Sequence, residues 1–232
     1  MPDQLFLGLD GCKAGWVMVS WSGEAGATPD ASIIPDIHTA LDTDARFIGV
    51  DMPIGFPADT ARSCEAAARR YIGPRRSSVF PVPCREAVMT ADYREACEIN
   101  ARVLGSKVSK QAFMLFPRMR EVDAAITPAL QSRLFEVHPE VAFCTMNNGQ
   151  PLQHAKKTAD GAALRRGLLE AGGFPLRRLQ HPQWKKSQAA DDDVLDACAC
   201  CWSARRIASS QHLAFPAMPE FDARGLRMQI NA

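Results

Sequence analysis

The chain opens with short, dense apolar runs and continues in longer, punctuated segments. Leu5–Leu9 and Trp16–Trp21 are joined by Gly11-Cys12-Lys13-Ala14-Gly15, a pattern that predicts a β-hairpin. Ser32–Ile37 predicts a third strand and residues 38–44 a short helix. Phe47–Val50 is almost unbroken in its apolarity and predicts a central strand covered on both faces. Residues 61–71 read as helix, 73–83 as a Gly/Pro/Ser/Arg loop and 85–104 as helix. Residues 105–110 break the pattern, and 111–132 are helical in parts, interrupted by Pro117 and Pro128. Leu134–Phe143 predicts a strand, on which Glu136, His138 and Glu140 would share one face. Residues 158–172 form a helical pattern stopped at Gly172-Gly173. Residues 192–208 predict a long helix with acids in its first turn, where the helix dipole favours them. The remainder is Pro-containing and weakly patterned. This order predicts one α/β domain over 1–232, with residues 61–130 as a mainly helical insertion.

Composition narrows the class. At 232 residues, 47% hydrophobic and 23% charged, the chain is globular rather than disordered. No apolar run reaches the ~18 residues of a spanning helix. The N-terminus lacks the basic start and apolar core of a secretory leader. Eight scattered cysteines fit reduced, packed thiols and a cytoplasmic location. Cys198-Ala199-Cys200-Cys201 has CxxC spacing without a second pair, which favours close packing over zinc.

A formal charge of +1 excludes a uniformly basic nucleic-acid binder. Along the chain the charge alternates: −7 over residues 1–60, +7 over 61–120, −3 over 121–150, +6 over 151–190 and −2 over 191–232. Single charge runs are commonly solvated faces. Together they also fit an acidic centre ringed by basic segments, which suits a polyanionic substrate handled through metal ions.

The candidate chemistry lies in the acidic segments. Asp10 and Asp51 each end a predicted strand, and Asp193 and Asp196 are one helical turn apart in DDDVLD. Carboxylates at strand ends of an α/β sheet point to the ligand crevice. Several oxygen ligands from distant segments suit Mg²⁺ or Mn²⁺ better than Zn²⁺. Asp192 and Asp193 read equally well as helix caps, whereas Asp196 lies inside the helix, where Asp has poor propensity and no capping role. Glu136 is a further candidate ligand, and His138 or Glu140 a candidate for orienting water or moving a proton. Lys13, Arg75, Arg76, Lys107, Lys110, Lys156 and Lys157 are candidates for positioning phosphate, and each reads equally as a solubilising surface charge.

LGLDGCKAGWV, GVDMPIGFP, SSVFPVP, SKQAF, FEVHPEVAF and DDVLDA, in this order, resemble the family described as predicted RNase H-like nucleases, domain of unknown function 429. The resemblance runs from Leu7 to about Ala208. It implies an RNase H-like fold, a five-stranded mixed sheet flanked by helices, with the first three strands antiparallel. Within that superfamily the pattern resembles RuvC-type junction resolvases. By that likeness Asp10, Asp51, Asp193 and Asp196 would ligate metal, with Glu136 joining them. The implied activity is Mg²⁺- or Mn²⁺-dependent hydrolysis of phosphodiester bonds in RNA or DNA. Two other readings stand beside it. One is an ATP- or phosphate-handling enzyme of the related actin/hexokinase superfamily, motivated by Asp10-Gly11 after the first strand. The other is a binding protein that keeps the fold without the chemistry.

Overall fold

The computed structural model describes residues 4–24, 26–181 and 184–232. Strand β1 (Phe6–Cys12) turns at Lys13-Ala14 and pairs antiparallel with β2 (Gly15–Trp21). β2 in turn pairs antiparallel with β3 (Asp30–Ile34). The third strand starts and ends earlier than its sequence pattern suggests. Asp36 leaves the sheet and caps helix α1 (Ile37–Leu41), its carboxylate accepting from the Thr39 amide at 3.1 Å. Strand β4 (Phe47–Val50) then lies parallel to β1 on the side away from β2.

Residues 51–133 add no strand. They form α2 (Ser63–Ile72), a 3-10 turn over Gly73–Ser78, α3 (Arg85–Met89), α4 (Tyr93–Leu104), α5 (Lys110–Met114), α6 (Phe116–Ala125) and a second 3-10 turn over Pro128–Ser132. The helical pattern of 85–104 is two helices. Asp92 caps α4 by accepting from the Glu95 amide at 2.8 Å, so the chain breaks just before it. β5 (Leu134–Glu136) pairs parallel with β4 and completes a sheet ordered β3-β2-β1-β4-β5. This mixed sheet flanked by helices has the strand order and directions expected of an RNase H-like fold.

Two expectations fail here. The strand predicted over 134–143 stops at Glu136, and α7 (Pro139–Met146) takes over. Proline fits the first helical position, where its missing N–H costs nothing. The apolar residues 141–143 are helix core rather than strand. Glu136, His138 and Glu140 therefore do not share a strand face. The weakly patterned C-terminus, after α8 (Ala159–Ala171) and α9 (Asp191–Ala208), is a hairpin of β6 (Ala214–Phe221) and β7 (Arg227–Asn231). It docks at the end of β5, where Asn231 Nδ2 donates to the Glu136 carbonyl at 3.0 Å.

Period-two alternation divides the sheet into two faces. Leu7, Leu9, Ile48 and Val50 enter one core with Ile37, Phe116 and Met119. Phe6, Val17 and Val19 enter the other, against α9 and α7. On that second face β1 and β4 offer Gly8 and Gly49, which are register partners. A Cβ at Gly8 would lie 2.0 Å from the Ala197 carbonyl oxygen, and one at Gly49 would lie 2.5 Å from that of Cys200. The glycines let the α9 backbone rest directly on the sheet. The small residues Ala197, Ala199, Cys200 and Cys201 of α9 are fully buried in this contact. All eight cysteines are free thiols, so the CxxC spacing reflects close packing.

Candidate metal centre

The close approach of α9 builds the site. Asp10 follows Gly8 by two positions on β1, and Asp51 follows Gly49 by two just past β4. Both carboxylates therefore leave the sheet on the α9 side. The Asp51 amide donates to the Leu9 carbonyl at 2.9 Å, which carries the β1–β4 register into the turn and holds the two residues abreast. Asp196 lies one residue before Ala197, the residue pressed onto Gly8. One carboxylate oxygen from each of Asp10, Asp51 and Asp196 lies within 4.8 Å of the others. Asp10 and Asp196 are buried, at 8% and 4% exposure.

One cation bonds to this group. Lys156 Nζ donates to Asp196 Oδ2 at 2.7 Å and lies 3.3 Å from Asp192 Oδ2. A single ammonium does not balance three crowded carboxylates. Burial, with the charges of Asp51, Asp196 and Asp193 added, holds the Asp10 carboxyl well above the usual carboxylate range. Burial likewise pushes Asp51 up to about 6, against the pull of Lys156 and a hydrogen bond with Asp10. Asp196 is pushed up to about 6 by burial, again against the pull of Lys156. The same carboxylates hold the Lys156 ammonium protonated far above its ordinary range. Three oxygen ligands in a half-dry setting, short of positive charge, are the chemistry of a hard divalent cation.

The other sequence candidates separate. Asp193 Oδ2 accepts from the Ala190 amide at 2.8 Å and so caps α9, and it stands outside the ligand group. Glu136 also leaves the ligand set. Its Oε2 accepts from the Ile54 amide at 2.8 Å and its Oε1 from Arg62 Nη2 at 2.6 Å. Burial raises its carboxyl to about 7 against the pull of Arg62. Glu136 thus ties the end of β5 to the Met52–Gly55 turn that carries Asp51, a positioning role. Glu140 is bound on both oxygens, by Arg75 Nε at 2.9 Å and by Arg165 Nη2 at 2.6 Å. His138 bonds the Ser78 carbonyl through Nε2 at 3.2 Å, which places its proton there. Burial lowers its pKa, so the ring is neutral.

A cleft of about 490 Å³ opens over the centre. Asp10, Asp51 and Asp196 form one wall, and Arg75, His138 and Glu140 lie in the lining as well. Lys156 lines it too, but as the partner of the carboxylates. Lys13, Arg76 and Lys110 are exposed and do not line the cleft. Lys157, which the sequence offers beside Lys156 as a phosphate contact, does line it, whereas sequence reasoning missed the buried Arg62 and Arg165.

A family model described as "Protein of unknown function (DUF429)" matches residues 8–220. The chain belongs to that family. No curated protein and no solved structure matches it. No helix among the described residues is long and apolar enough to cross a membrane.

Proposed function

We propose that this protein is a Mg²⁺- or Mn²⁺-dependent phosphodiesterase of the nuclease type. The observation that carries the reading is the convergence of Asp10, Asp51 and Asp196 on the wall of a cleft, with Lys156 as their one bonded cation among the described residues. A divalent ion there would polarise a phosphoryl oxygen and lower the pKa of a bound water. Asp10, Asp51 and Asp196 would hold it, and Lys156 would keep its place on Asp196 or follow the substrate. Glu136 fixes the turn bearing Asp51 without touching substrate. In the reaction a water oxygen bonds to phosphorus and the P–O ester bond breaks. The leaving alkoxide takes a proton, giving one phosphomonoester and one alcohol.

The test combines binding and turnover. Calorimetric titration of the protein with Mn²⁺ is expected to show a bound ion. Asp10→Asn should weaken that binding by at least about 100-fold, more than the loss of an outer partner of a ligand. Purified protein with Mn²⁺ should cut at least one member of a panel of single-stranded, duplex and branched RNA and DNA. Mn²⁺ binding unchanged in Asp10→Asn, with no cutting of any substrate, would sink the reading.

A further inference from the structure

Beside the carboxylates, another part of the cleft wall contains a second, different charge arrangement. Glu140 is buried, and two arginines share it. Arg165 is itself 1% exposed. It is anchored by Nη1 on the Gly161 carbonyl at 3.0 Å and by its guanidinium over the Phe143 ring at 5.4 Å. Arg75 is the outer partner. It spends Nε on Glu140 at 2.9 Å and lines the cleft, its side chain 25% exposed. Neither of its terminal amino groups has a partner among the described residues. Two guanidiniums against one carboxylate leave an excess positive charge on this wall.

Burying charges in this way is costly unless each is paired. What the cost secures is the direction of one fork. Glu140, braced from behind by Arg165, grips Arg75 by Nε and leaves the two Nη groups free at the cleft. A planar, pre-oriented guanidinium with both terminal amines free matches two oxygens of a phosphate. Arg165 Nη1 also contacts the His154 carbonyl at 3.3 Å, which links this wall to the segment carrying Lys156 and Lys157. Lys156 is taken by Asp196 and Asp192. Lys157 lines the cleft, and its side chain has no partner among the described residues.

We propose that Arg75 and Lys157 form a subsite for a second phosphate, adjacent to the scissile one, so that the substrate is a single polynucleotide strand rather than an isolated phosphate ester. The cleft volume of about 490 Å³ is that of a small-molecule site and matches one unstacked nucleotide unit. Phe80 and Leu115, also in the lining, offer apolar surface to its sugar or base. This rests on the phosphodiesterase reading above.

The experiment compares two substrates that differ by one phosphate: a dinucleotide with a 5′-hydroxyl and the same dinucleotide with a 5′-phosphate, both with Mn²⁺. The extra phosphate is expected to raise kcat/KM by about tenfold, the worth of one charge-assisted contact. Arg75→Ala and Lys157→Ala should each bring that ratio toward one, and Arg75→Lys should restore it in part. The exposed Arg76→Ala should leave it unchanged. In parallel, a labelled hexanucleotide is titrated with Ca²⁺ in place of Mn²⁺, over a range of salt. The Arg75→Ala/Lys157→Ala protein should bind with a salt slope smaller by about 0.7, the loss of one single-strand phosphate contact. If turnover is absent throughout but the slope falls as stated, the phosphodiesterase reading fails and the subsite stands. A ratio near one in the unaltered protein, or equal losses on both dinucleotides in the variants, together with an unchanged slope, overturns the subsite. Thermal melting of each variant separates these outcomes from unfolding, and Lys157→Ala, on an exposed side chain, keeps the test valid if Arg75→Ala does not fold.

Discussion

The molecule buries carboxylates in two regions and treats them in opposite ways. Around Glu136 the charges are answered within the fold. Arg62, 3% exposed, gives Nη2 to Glu136 at 2.6 Å, Nε to Glu65 at 2.9 Å and Nη1 to the carbonyls of Ile54 and Gly55 at 2.9 Å. Every nitrogen of the guanidinium is occupied. A similar block joins the C-terminal hairpin to the helical segment, where Arg85 bridges Asp123 and Asp222 and Arg224 also reaches Asp123. Among the described residues, no arginine bonds to Asp10, Asp51 or Asp196, and one lysine faces three acids. Burial by itself does not mark function, since both regions bury acids. The missing counter-charge does, because it identifies a place that an external cation would stabilise.

Removing one partner from the balanced region should produce the largest effect. Arg62→Met leaves Glu136 and Glu65 buried without their cation and is expected to destabilise the fold by about 3–5 kcal/mol. Urea unfolding measures it. A loss below about 1 kcal/mol would show that this region is not the internally paired block described here.

The unbalanced region should respond with the opposite sign. Asp51 and Asp196 have carboxyls raised from 3.8 to about 6. A raised acid stabilises the folded state while protonated. That contribution is complete below the unfolded value near 3.8 and is lost as pH rises through about 6. Without added metal, Asp51→Asn is therefore expected to raise Tm at pH 7.5 by about 2–4 °C. At pH 4.5 the gain should largely vanish. Saturating Mn²⁺ should reverse the order at neutral pH by favouring the unaltered protein. Scanning calorimetry at the two pH values, with and without Mn²⁺, checks both signs, and a variant that is less stable at pH 7.5 without metal would contradict the uncompensated cluster.

The smallest effect belongs to the residue between the two behaviours. Asp193 caps α9, so Asp193→Ala should cost about 1 kcal/mol and leave the Mn²⁺ affinity within about threefold. A loss of affinity comparable to that of Asp10→Asn would return Asp193 to the ligand set.

Much of this was legible in the sequence because it depends on local pattern. The first hairpin, the FIGV strand and the terminal helix each carry an uninterrupted period, and the structure places them within a residue or two. Asp196 was recognisable because an acid inside a helix has no local reason to be there. The failures were of another kind. Residues 134–143 are apolar enough for strand or helix, and the outcome turned on Pro139 and on the β5–β4 pairing ending at Glu136. The C-terminal hairpin was hidden by Pro216, Pro219 and a largely exposed first strand.

The sequence by itself determined the β-β-β-α-β opening, the glycines at Gly8 and Gly49, and the acids two positions beyond each. Those are properties of single segments, read from periodicity and spacing. Only the tertiary structure decided which acids stay uncompensated. Glu136, Glu140 and Asp193 are as acidic in the sequence as Asp10, Asp51 and Asp196, but an arginine from another element, or a helix amide, claims each of the first three. For Glu136 and Glu140 the counter-charge comes from residues tens of positions away, so their pairing is fixed by how the helices pack on the sheet, whereas the Asp193 cap is local and could be read along the chain.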